Sequence, residues 1–191
     1  TMVMDVKTEF QIDPEKPPYT PVNYDGKFRG PIQLRFALGN SLNIPAVKVL
    51  ALTGIKESMQ KGYDMGISTW QPTDAALKNV GLSLVLGGRE TTLMDEVTAY
   101  GTLANKGKKH DLISILEVKD SKGKKLFEYK KKDEEQALSE EVAFIISHIL
   151  LDNNARSDAF GSNSLLRIPG KTVAVKTGTT DEKRDNWAVG F

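Results

Sequence analysis

Cysteine is absent, which removes disulfide scaffolds, thiolate zinc sites and cysteine nucleophiles from consideration. Histidine is nearly absent. His110 and His148 stand alone with no partner at ligand spacing, so neither a metal site nor another cofactor is expected. No apolar run approaches the roughly 20 residues that a membrane span requires. No leader peptide is visible, because Met2-Val3-Met4 runs straight into Asp5 and Lys7. Any export signal or anchor of a longer protein is therefore expected outside these residues. Excess charge of one sign is missing too: 26 basic residues against 25 acidic ones leave a formal charge of +1. No Lys/Arg stripe is interleaved with aromatics, so nucleic acid is not an expected partner. The short basic run Lys130-Lys131-Lys132 meets Asp133-Glu134-Glu135 at once and reads as a solvated loop. There are no internal repeats. What remains is a chain of 191 residues, 39% hydrophobic and 27% charged, long enough for one domain or most of one.

Residues 1–30 are rich in proline and glycine (Pro14, Pro17, Pro18, Pro21, Gly26, Gly30) and read as an extended, loop-rich approach segment. A mainly helical part is expected over 31–107. Pro31 suits a first helical turn, with Ile32, Leu34, Phe36 and Leu38 following. The pattern pauses at Gly39-Asn40-Ser41-Leu42-Asn43, resumes at Pro45 with Val47, Leu50 and Ala51 on one face, and stops at Gly54. Another helix is expected over 55–66. Thr91 or Thr92 is placed to cap one running to about Asn105, with Gly107 beyond its end.

A strand-rich part is expected over 108–191. Leu112 to Val118 and Lys125 to Tyr129 predict a polar hairpin around Asp120-Ser121-Lys122-Gly123. Ser139 caps an apolar helix, Val142 to Leu151, whose Phe144, Ile145, Ile149 and Leu150 point to burial. After a loop come a strand over 171–177, a charged solvated turn through Asp181-Glu182-Lys183-Arg184-Asp185, and a strand from Asn186 to Phe191. Helices first and strands later predict an α+β domain, an antiparallel sheet packed against helices.

Lys176-Thr177-Gly178-Thr179 is the most telling stretch. A strand ending this way lines up an ammonium, hydroxyls and bare backbone N–H groups along one edge, which suits a ligand carrying a peptide backbone and a carboxylate. Ser41-Leu42-Asn43 precedes it. In such a triplet the serine can pass a proton and the asparagine amide can donate and accept at once. Each signal has a plain structural alternative: Ser41 and Asn43 suit the cap of the helix near Pro45, and Lys176 a solvated strand end.

Together, in this order, the motifs and their flanks resemble the transpeptidase domain of penicillin-binding proteins, of the class A bifunctional type. The flanks are Arg29-Gly30-Pro31-Ile32-Gln33-Leu34-Arg35, Leu84-Val85-Leu86-Gly87-Gly88-Arg89-Glu90, Thr98-Ala99-Tyr100, Ala104-Asn105-Lys106-Gly107 and Asp185-Asn186-Trp187-Ala188-Val189-Gly190-Phe191. The likeness runs from about residue 20 to the end. It implies the fold shared by serine β-lactamases and these transpeptidases, incomplete here at both ends. It also implies a location on the outer face of the bacterial cell membrane. The reaction it implies is attack by a serine on the penultimate D-alanine carbonyl of a peptidoglycan stem peptide, loss of the terminal D-alanine, and capture of the acyl-enzyme by a neighbouring amine. The implied partners are stem peptides ending in D-Ala-D-Ala and the β-lactams that mimic them. The resemblance makes Ser41 and Lys176 the catalytic proton-relay pair and Asn43 the holder of the substrate amide. Thr177 and Thr179 would take the terminal carboxylate, Gly178 would allow close approach, and the Thr179 N–H would serve as an oxyanion donor.

The family's nucleophile stands in a Ser-x-x-Lys segment ahead of Ser-x-Asn, and no serine precedes residue 20. Ser58-Met59-Gln60-Lys61 and Ser121-Lys122-Gly123-Lys124 fit the spacing but follow Ser41. The nucleophile is therefore expected on a further segment outside this chain, and the chain alone is expected to be inactive. Two alternatives stay open: a non-catalytic module binding stem peptide or a division partner, and a D,D-carboxypeptidase or β-lactamase.

Overall fold

The computed structural model describes residues 1–131, 133–180 and 184–191. The expected solvated stretches at 130–132 and 181–185 thus fall partly on Lys132, Asp181, Glu182 and Lys183, outside the described residues.

The chain opens with strand β1 (Met2–Asp5), paired antiparallel with β2 (Gly30–Gln33). This corrects the reading of a helix opening at Pro31 and adds a paired strand to the otherwise loop-rich residues 1–30. Leu34 N–H donates to Thr1 O at 3.1 Å, which makes Thr1–Leu34 a hydrogen-bonded pair of the ladder. By alternation Pro31, opposite Met4, takes a position whose N–H is not asked for by β1. A proline that fits a helix start equally fits this edge. Helix α1 (Leu34–Gly39) then begins, and after a short corner α2 (Asn43–Thr53) and α3 (Ile55–Asp64) follow.

A 3-10 turn at Ser68–Trp70, helix α4 (Asp74–Leu77) and a second 3-10 turn at Leu82–Leu86 fill the stretch between α3 and the Thr92 cap, inside the part expected to be mainly helical. Helix α5 (Leu93–Ala104) starts as anticipated on a Thr92 capping box, with Asp95 as the reciprocal partner. Strand β3 (Lys108–Lys109) comes next. The hairpin is shorter than predicted, β4 (Glu117–Lys119) against β5 (Lys125–Glu128), with an irregularity at Val118/Lys119. Strand β6 (Glu135–Gln136) pairs with β3. Ser139 caps α6 (Glu140–Leu151), accepting from Val142 N–H at 3.3 Å. Helix α7 (Ser157–Phe160), β7 (Val175–Thr179) and β8 (Asn186–Gly190) complete the order.

The class is α+β, and the antiparallel sheet is delivered in pieces. Among the described residues there are four two-stranded pairs, β1–β2, β3–β6, β4–β5 and β7–β8. The predicted strand at 171–177 lies further along, at Val175–Thr179, extended by a reciprocal backbone pair between Ala174 and Phe191.

The main core joins α2 and α3 to the Leu82–Leu86 turn through Val47, Leu50, Met59, Leu82 and Leu84. Each such buried side chain contributes on the order of 1.5–3 kcal/mol. A second contact zone uses small residues. Ala37, Ala143, Ala155 and Ala174 are all buried, and at Gly39 the end of α1 packs directly on the Ala155 backbone. In α6 the burial stripe is Ala143, Ile149 and Leu150, as expected for the last two. Phe144 and Ile145 depart from expectation, at 65% and 53% exposed. That helix is apolar around most of its circumference, but α1 and α5 cover one side of it.

Candidate active site

The corner between α1 and α2 carries Ser41. Its φ is 58°, in the left-handed region that a serine enters only at a steric cost of roughly 1–2 kcal/mol. Neighbouring bonds hold it there. Asn40 Nδ2 donates to Phe36 O at 3.0 Å and Ala155 O at 2.9 Å, while its Oδ1 accepts from Ala159 N–H at 2.9 Å. Gly39 is glycine for a spatial reason: a Cβ there would meet Ala155 O at 2.7 Å. The α1 terminus is thereby locked against the segment entering α7.

Ser41 and Lys176, 135 residues apart, meet. Lys176 Nζ donates to Ser41 Oγ at 2.7 Å and to Thr177 O at 2.6 Å. Burial, and after it the charge of Arg156, lowers the Lys176 pKa from its ordinary value to about 8. A share of neutral amine near neutral pH lets this pair pass a proton in either direction. Neither Ser41 nor Asn43 caps α2 with its side chain. The cap residue is Leu42, and Asn43 Nδ2 donates instead to Val22 O at 2.8 Å.

Ladder alternation decides what β7 presents. Ala174 exchanges both backbone bonds with Phe191, and Thr180 N–H donates to Asp185 O at 3.1 Å. With the register Lys176↔Val189 and Gly178↔Trp187, residues 174, 176, 178 and 180 bond toward β8. The N–H and C=O groups of Val175, Thr177 and Thr179 therefore face the opposite edge, which no strand covers among the described residues. The Val175 carbonyl there accepts from Arg156 Nη1 at 3.3 Å. The Thr179 N–H lies on this open edge, free to donate to a ligand oxygen laid along it. Thr177 and Thr179 share a face, and neither hydroxyl has a protein partner among the described residues. At Gly178 a Cβ would meet nothing within 4 Å, so the space above the strand there is open. Gly87, at φ +89°, closes one rim: a Cβ there would sit 3.5 Å from the Thr180 methyl.

Three contributors were not legible beforehand. Arg156 is only 4% exposed and ties Leu150 O, at the α6 terminus, to Val175 O on the β7 edge. Asn40 does the same for the corner. Asn23 is 3% exposed and bonds the start of α2. Their polarity gives no sign of burial; only the long-range packing does. Two serines with Ser-x-x-Lys spacing are placed otherwise. Ser58 shares a hydroxyl bond with Thr53 at 3.1 Å, and Lys61 donates to Ala137 O at 2.9 Å. Ser121 lies exposed in the β4–β5 turn. A surface hollow of about 480 Å³ is walled by Lys108, Lys131, Asp133 and Glu134 and includes none of the residues above. Lys108 and Lys131 both pair with Glu134 there, holding its carboxyl down at about 2.

The family described as "Penicillin binding protein transpeptidase domain" matches residues 3–191. The chain belongs to this family. Penicillin-binding protein 2D of Bacillus subtilis is 34% identical over 197 residues, covering all of this chain and 27% of the relative. Penicillin-binding protein 1C of Escherichia coli is 36% identical over 172 residues, covering 90% of this chain and 20% of the relative. This transpeptidase-domain chain thus spans about a quarter of the length of the curated relatives it matches. Among solved structures, PonA1 of Mycobacterium tuberculosis superposes with a TM-score of 0.81 at 20% identity, over the whole chain and 51% of PonA1. The same protein in complex with penicillin V gives 0.80 at 22% identity, again over the whole chain and 51% of PonA1. These likenesses establish the penicillin-binding transpeptidase fold across the described α+β arrangement.

Proposed function

We propose that this chain is the recognition and proton-relay part of a peptidoglycan D,D-transpeptidase, acting with a nucleophilic serine that lies on a segment outside these residues. The observation that carries the reading is the 2.7 Å bond between Lys176 and Ser41 at the end of a strand with an open edge. A stem peptide laid along that edge meets the Thr179 N–H at its reacting carbonyl, the Thr177 and Thr179 hydroxyls at its terminal carboxylate, and Asn43 at its amide. The serine hydroxyl gives its proton to the neutral lysine of its own Ser-x-x-Lys segment as its oxygen bonds to the penultimate D-alanine carbonyl carbon, and the tetrahedral oxyanion is held by backbone N–H donors. As the C–N bond breaks, the Lys176–Ser41 pair delivers a proton to the leaving D-alanine amine. An amine of a second stem then reverses the sequence, giving the cross-link and free serine. β-Lactams follow the first half and stop at the acyl-enzyme.

The relatives' greater length supports placing this chain in a longer polypeptide, of the class A bifunctional type, working on the outer face of the bacterial membrane. Two incubations with labelled penicillin test the reading. The longer polypeptide should take one label per chain, at a rate cut on the order of a hundredfold by Lys176→Ala. The 191 residues alone should take none; stoichiometric label on Ser58 or Ser121 would refute the assignment.

A further inference from the structure

Asn23 sits where three segments meet. Its Oδ1 accepts from the N–H groups of Asn43 at 3.0 Å and Ile44 at 3.3 Å, the first two orphan donors of α2. The α2 cap residue itself, Leu42, has no polar side chain for that task. Asn23 Nδ2 donates to both oxygens of Asp5, at 2.8 and 3.0 Å, and to Lys27 O at 2.8 Å. The Asp5 carboxylate is fully buried and takes a further N–H from Arg29 at 2.9 Å. The preceding residue, Val22, supplies the carbonyl that accepts from Asn43 Nδ2 at 2.8 Å. A carbonyl can only accept, so this bond fixes which end of the Asn43 amide faces inward. The amide oxygen and the second N–H of Asn43 are left for a ligand.

We infer that Asn23, anchored by Asp5, is a positioning residue that caps α2 from outside and, with the Val22 carbonyl, sets the Asn43 amide for its ligand. The inference rests on the transpeptidase reading for the identity of that ligand, an amide flanking the scissile bond, but not for the clamp itself. Asn23 touches no reacting atom; it acts through Asn43. The buried carboxylate is the reason Asn is needed rather than Asp or Ser: the side chain must accept from two backbone N–H groups while donating to an anion.

The test uses the longer polypeptide and two readouts. In hydrogen-exchange mass spectrometry, Asn23→Ala should raise exchange on peptides covering residues 40 to 47 by about tenfold, with α5 unchanged. In acylation by labelled penicillin, the half-saturating concentration should rise about tenfold while the maximal rate stays within about threefold. Asn23→Asp, which sets a carboxylate against Asp5, should behave like Asn23→Ala. The swap Asp5→Asn with Asn23→Asp rebuilds the donor–acceptor pair between positions 5 and 23 but leaves Lys27 O without its donor, so both readouts should recover in part, to at least about threefold closer to wild type than in Asn23→Asp alone. Unchanged exchange in Asn23→Ala would overturn the clamp. Raised exchange with unaltered acylation would overturn the positioning role. If Asn23→Ala fails to fold, the swap decides: recovery supports the inference and no recovery overturns it. A wild-type polypeptide that takes no penicillin defeats the transpeptidase reading, and exchange alone then judges the clamp.

Discussion

Two antiparallel pairs, β4–β5 and β7–β8, share the same local architecture and have opposite surroundings. Both are two-stranded, and both were visible in the sequence as β-rich runs. Every residue of β4 and β5 is exposed, including Val118 and its cross-strand partner Phe127, and the pair is laced by Lys119–Glu117, Lys125–Glu117 and Lys125–Glu128 contacts. Such surface pairs contribute little, and a lone hairpin is marginal in water. Pair β7–β8 has a buried guanidinium on its free edge, Ala174 buried at its base, and Phe191 edge-on to Tyr100 of α5 at 6.4 Å. Burial there also pushes the Tyr100 hydroxyl up to about 12. The lesson is that a ladder is cheap to form locally, whereas a chemically useful edge needs other elements to hold it and set its charge.

The comparison is broken most severely at Arg156. Arg156→Ala strips a buried donor from Leu150 O and Val175 O and leaves a cavity, for an expected loss of about 3 kcal/mol in urea denaturation. A loss below about 1 kcal/mol would mean that β7 does not depend on its support.

Next comes pH. Lys176 is charged in both folded and unfolded chains below pH 8, and the folded state alone bears the burial penalty. As pH rises from about 8 toward the ordinary lysine value of 10.5, the folded side chain is neutral while the unfolded one still binds its proton. Stability relative to Lys176→Met should therefore rise over that window, by about 1–2 kcal/mol after allowing for partial exposure. A flat difference between the two urea midpoints across pH 7 to 10.5 would contradict it.

Ser41→Gly is expected to stabilise the fold by about 0.5–1 kcal/mol, because glycine enters the left-handed region freely. The same change removes the Lys176 acceptor, so penicillin acylation of the longer polypeptide should slow even as the melting temperature rises. A serine with no functional duty would give the stability gain without that loss. Phe127→Ser on the exposed hairpin should have the smallest effect, under about 0.5 kcal/mol and with acylation unchanged.

How much of this was legible in advance follows from the range of each interaction. The Thr92 capping box, the Ser139 cap and the polar turn of β4–β5 are written within a few residues of one another, and each formed where expected. Strand β1 was missed because Met2-Val3-Met4 becomes a strand only when Gly30–Gln33 lies beside it. The burial of Phe144 and Ile145 was misjudged because apolarity all round a helix does not say which side a neighbour takes. Of the site, Ser41, Asn43 and the Lys176-Thr177-Gly178-Thr179 run could be named from the sequence, while their supports could not.

By itself, then, the sequence determined the family, the motif residues, and the local caps and turns, because those depend on side-chain type and short spacing. Only the tertiary structure decided that Lys176 reaches Ser41, that Arg156 holds the β7 edge and Asn23 the start of α2, and which edge of β7 is open. The Lys176–Ser41 and Asn23–Asn43 contacts join groups far apart in the chain, and no short-range pattern records that.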